Sequence, residues 1–102
     1  MTPQEAIPKL ELEWDIDEGF LGSLRQRVVD VSRRDRFLDL LGSIELAGDK
    51  MIPRRFLELI WYIPIFLEWQ EESCVERGYP RDDYRRMKSS IIARLEETIG
   101  YP

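Results

Sequence analysis

Apolar side chains recur along this chain at three- and four-residue intervals, the spacing of one face of an α-helix. Sustained alternation of apolar and polar positions, the mark of a half-buried strand, is absent; the nearest approach, LELEWDID, is short and acidic. Thr2-Pro3-Gln4-Glu5 reads as a capping box with proline at the first helical position, and Pro8 is expected to end or kink that short helix. A second helix is expected from Asp15 or Asp17 to about Val31, with Phe20, Leu21, Leu24, Val28 and Val31 on one face. Ser32-Arg33-Arg34-Asp35 reads as the cap of a third, striped by Phe37, Leu40, Leu41 and Ile44 and stopped at Gly48. Pro53 opens a long fourth helix that Gly78 closes. Pro80 opens a fifth, whose stripe is Tyr84, Met87, Ile91, Ile92, Leu95 and Ile99, before Gly100. The pattern predicts an all-α fold: one bundle of about four main helices plus a short N-terminal helix, with a proline-bent central helix.

That central helix holds the most apolar stretch, FLELIWYIPIFLEWQEE. From Phe56 to Trp69 it has 14 residues, interrupted by Glu58 and Glu68, whereas a membrane span needs about 20 apolar residues. It is therefore expected in a core and not in a bilayer. At about 100° per residue, Phe56, Ile60, Ile63, Leu67 and Cys74 point inward, with Leu57, Trp61 and Pro64 flanking them. Pro64 removes a backbone donor and should bend the helix. The opposite face carries Arg54, Glu58, Glu72 and Glu76 with Tyr62, Ile65 and Trp69 among them. Three arrangements account for large apolar groups there. The N-terminal segment, with Trp14 and Ile16, lies over them; or they are exposed anchors ringed by carboxylates, as in a binding hot spot; or they form a contact between copies.

Length adds that 102 residues suffice for one domain with a modest core, on which residues 1–18 are expected to pack as an acidic segment. The net charge of −5 lies entirely in residues 1–20, where Lys9 stands against Glu5, Glu11, Glu13, Asp15, Asp17 and Glu18. Such a segment suits a basic partner and discourages nonspecific nucleic-acid binding. A single cysteine gives no internal disulfide, and the N-terminus lacks the basic and apolar regions of a signal peptide, so a cytoplasmic location is expected.

Candidate chemistry is sparse. The chain has no histidine, which removes the commonest general base and the usual mixed metal sites. Cys74 falls on an inner face and reads as core. Glu68, Glu71 and Glu72 stand at helical spacing, and paired carboxylates can act as acid and base or hold a divalent cation, but a solvated charge run is the expectation. No catalytic, cofactor or metal residues are assigned. Two basic clusters, Arg33, Arg34 and Arg36, and Arg81, Arg85, Arg86 and Lys88, are interleaved with Asp35, Asp39, Asp82 and Asp83, and are expected to make surface ion pairs. The function expected is protein binding, with Tyr62, Ile65 and Trp69 as anchors, Glu58 and Glu72 as rim, and Asp15, Asp17 and Glu18 steering a basic partner. In class the chain is similar to small, acidic, all-helical bacterial inhibitors and immunity proteins, although no motif carries that likeness. The rival classes are a helical oligomeric regulator contacting nucleic acid and a carboxylate-dependent enzyme.

Overall fold

A computed structural model of the protein describes residues 1–46 and 51–100, and all regular structure among them is helical. The helices are α1 (Pro3–Trp14), α2 (Phe20–Arg25), α3 (Val31–Gly42), α4 (Arg54–Ile60), α5 (Ile63–Glu76) and α6 (Arg81–Ile99). None of those described is long and apolar enough to cross a membrane.

The capping box at the start of α1 forms: the Thr2 hydroxyl accepts the Glu5 N–H and the Glu5 carboxylate accepts the Thr2 N–H, each at 3.2 Å. Pro8 neither ends this helix nor confines it to a turn. Pro8 and Gln4 are exposed, so the carbonyl that proline leaves unbonded faces water, while Ala6, Ile7 and Leu10 anchor the other side in the core. The expected N-terminal segment is thus a full helix contributing to the interior.

The second helix is much shorter than its apolar spacing indicates. Phe20, Leu21 and Leu24 are buried, but Val28 and Val31 are exposed, because Arg27 turns left-handed (φ 63°) and ends α2. The Val28 N–H reaches the Ser23 carbonyl and the Arg27 N–H reaches that of Leu24, the paired bonds of a Schellman motif. Gly78 (φ 113°) ends α5 in the same way, with Tyr79 bonded to Cys74 and Gly78 to Val75. Glycine takes this conformation without penalty; arginine gives up roughly 1–2 kcal/mol to do so. The cap of α3 is Asp30, not Ser32: its carboxylate accepts the Arg33 N–H at 3.1 Å, which starts the helix at Val31. That helix ends at Gly42, and the stop expected at Gly48 lies outside the described residues.

The long apolar segment is bent as expected. Pro64 cannot donate to the Ile60 carbonyl, and the helix breaks over Trp61 and Tyr62 into α4 and α5. The two halves then serve different neighbours: α4 lies on α1, while α5 lies on α6 and α2. Phe56, Ile60, Ile63, Leu67 and Cys74 all face inward as their spacing requires. Tyr84 from α6 enters this core, its buried hydroxyl donating to the Leu67 carbonyl at 2.6 Å, and Phe20 stacks on Phe37 at 5.4 Å.

The α1–α2 corner depends on two glycines and a buried carboxylate. A Cβ at Gly22 would fall on the Asp15 carbonyl, and one at Gly19 on the Glu13 and Leu12 carbonyls. Glu13, only 1% exposed, accepts the Phe20 N–H at 3.1 Å and two hydrogen bonds from Arg36 at 2.6 and 3.1 Å. One side chain from the supposed acidic surface thereby holds three helices together, its charge at the start of α2 and against an arginine of α3.

Candidate functional site

About half of the surface charges among the described residues are matched within the chain. Arg33 pairs with Asp30, Arg34 with Asp35, Arg36 with Glu13, and Arg86 with Asp83. Glu71 departs from a solvated charge run: its side chain is 8% exposed and meets Arg81 at 2.8 Å, Arg85 at 3.2 Å and Lys88 at 3.2 Å. Arg81 also grips Glu72, and Lys88 also holds Glu68 at 2.7 Å. The three carboxylates that could have carried chemistry therefore clamp α5 to α6.

Burial pushes the Glu71 carboxyl up, but hydrogen bonds from Lys88, Arg81 and Arg85 outweigh it and hold the group below its ordinary value of 4.5. A carboxylate depressed by folding contributes stability that is complete above its unfolded pKa and disappears as pH falls through the folded one. The melting temperature should accordingly fall as pH drops below about 4.5. Glu71→Gln should lower it at pH 7 and make the acid profile shallower. Superimposable profiles for the two proteins would exclude this role.

The α4–α5 element carries a different kind of surface. Leu57, Trp61, Ile65 and Trp69 recur every four residues across the break and are 43, 63, 41 and 70% exposed. Tyr62 mounts them on the core. Its half-buried ring lies 5.4 Å from Trp61, 6.4 Å edge-on from Trp69, and 6.3 Å from buried Phe66. The acidic N-terminal segment does not cover this stripe. Trp14 instead donates its indole N–H to the Leu59 carbonyl at 2.8 Å and packs edge-on against Phe66 at 4.9 Å. The Arg25 guanidinium stands 5.5 Å from the Trp14 ring and 5.4 Å from that of Phe66, a cation–π arrangement that closes this corner. Ile16 is half exposed.

No protein-family model, curated protein or solved structure matches this chain. Its surface chemistry must therefore be read directly. Of the anchors expected from sequence, Ile65 and Trp69 are exposed and Tyr62 is half-buried beside them. Glu58 and Glu72 adjoin them in sequence but are already answered, Glu58 by Arg54 and Arg55 and Glu72 by Arg81. Asp15, Asp17 and Glu18 lie in the exposed turn between α1 and α2, where the Asp15 carboxylate accepts the Asp17 and Glu18 N–H groups. No hydrogen bond or ion pair among the described residues joins them to the stripe. Leu57 and Trp61, expected beside the inner face, belong to the exposed stripe: at about 100° per residue they stand about 120° and 160° from buried Ile63. The available signal was Leu59, whose place in the core beside Phe56, Ile60 and Ile63 turns the buried face away from Leu57.

Proposed function

We propose that this protein is a protein-binding module whose contact surface is the Leu57–Trp61–Ile65–Trp69 stripe. The observation that supports it is the exposure of two tryptophans, 63% and 70%, along one edge. Tryptophan is the residue type most enriched in binding hot spots, and contiguous exposed apolar surface on a small protein marks an interaction site. Tyr62 holds the indoles in place, which lowers the ordering entropy lost on binding. The module acts by masking its partner, as acidic inhibitors and immunity proteins of this class do. With Glu58 and Glu72 paired internally, steering of a basic partner falls to Asp15, Asp17 and Glu18.

Trp69→Ala should weaken capture of a partner, recovered by cross-linking from cells that make this protein, by at least about 2 kcal/mol. Its folding stability should move by no more than about 0.5 kcal/mol, as for other surface changes. A large loss of stability with unchanged affinity per folded molecule would remove the stripe from function. Neutralising Asp15, Asp17 and Glu18 should slow association, and added salt should mimic that effect.

A further inference from the structure

The stripe has a direction. It begins at Arg54, whose side chain is 92% exposed and whose one ion pair among the described residues, with Glu58, is stretched to 3.9 Å. It ends at Glu76, exposed and without an ion pair among the described residues. At about 100° per residue Arg54 and Glu76 both project within about 20° of Ile65, on the side of the stripe. The order along the edge is thus a cation, Leu57, Trp61, Ile65, Trp69 and an anion.

That order is self-complementary. We propose that two copies of this chain pair antiparallel through the stripe, about a two-fold axis at Ile65. This rests on the reading of the stripe as a binding surface and names a second copy as its occupant. An axis there sets Ile65 against its symmetry mate. Trp61 and Trp69 stand four residues either side of Ile65, so each Trp61 meets the other copy's Trp69. Arg54 and Glu76 stand eleven residues either side, so each Arg54 meets the other copy's Glu76. An isologous contact requires this matching of one patch to itself. The same register opposes Glu58 to Glu72, but Arg55 and Arg81 already neutralise these within their own chains.

The area sets the strength. Tryptophans of up to about 250 Å² each, at the observed exposures, with Leu57 and Ile65, offer on the order of 500 Å² per copy. That lies below the roughly 800 Å² per partner of standard interfaces, so the dimer is weak and exchanges readily.

Sedimentation of the full chain from about 1 μM to 1 mM should show a reversible monomer–dimer equilibrium with a dissociation constant of about 10–500 μM. Trp69→Ala should weaken it at least about 30-fold, since each interface contains the residue twice. Arg54→Glu and Glu76→Arg should each weaken it roughly 3- to 30-fold, replacing two attractions by two repulsions. Both substitutions suit the dipole at their own helix end, so folding is not at risk. Mixed in equal amounts, the two variants should associate as tightly as the parent, because in the mixed dimer both end pairs are again attractive, one in the parental sense and one reversed. A protein that stays monomeric throughout overturns the proposal. So does a mixture no tighter than its components, which excludes the antiparallel register. A monomeric protein that still loses another protein on Trp69→Ala would leave the binding-module reading intact and remove only the self-pairing.

Discussion

Gly22→Ala is expected to destabilise this protein by about 3 kcal/mol or more, although helix propensity predicts the opposite sign. In a helix interior alanine is favoured over glycine by about 0.8–1 kcal/mol, and Gly22 lies inside α2. The Cβ it would gain, however, overlaps the Asp15 carbonyl and crowds Ile16 Cα. Backbone cannot rotate aside as a side chain can, so α2 must back away from α1. Phe20, Leu21 and Leu24, all fully buried, move with it, and the Glu13 bond to the Phe20 N–H goes too. Overpacking alone typically costs 1–3 kcal/mol, and the lost buried hydrogen bond adds to it. Chemical denaturation of the two proteins decides between steric and propensity control; an unchanged or raised midpoint would show that the corner has slack.

Ile60→Ala is expected to cost about 2–5 kcal/mol and Leu57→Ala no more than about 0.5. The two residues are three apart, yet Ile60 is 3% exposed and Leu57 43%. As a flank of the inner stripe Leu57 would be core, and truncating it would open a cavity. About 120° from Ile63 it belongs instead to the outer edge, and its loss should appear in binding rather than in stability. Equal losses for the two variants in thermal unfolding would return Leu57 to the core.

The contrast shows what was legible in sequence. Elements bounded by residues with a specific backbone preference were placed well: the Thr2 capping box, Pro53, Gly78, Pro80 and Gly100 all stand at helix ends. The end of α2 was hidden because Arg27, neither glycine nor asparagine, occupies the left-handed position, while Val28 and Val31 continue the apolar spacing by coincidence. Glu13 and Glu71 read as surface charge because nothing local distinguishes a solvated glutamate from one meeting Arg36 or Lys88 across the fold. For the candidate site, Tyr62, Ile65 and Trp69 followed from helical position alone. Trp61 and Leu57 share that outer face by the same spacing, and they were missed because Leu59 was left out of the inner stripe.

The separate settings of the three tryptophans make the molecule its own optical gauge. Trp14, hydrogen-bonded to Leu59 and shielded by Arg25, emits from a protected corner, while Trp61 and Trp69 emit from water. A collisional quencher such as acrylamide should silence the outer pair first and leave Trp14 glowing. Anything that settles on the stripe protects two fluorophores and leaves the third unchanged; unfolding exposes the third. Occupancy and integrity can then be followed separately, in one cuvette and without a label.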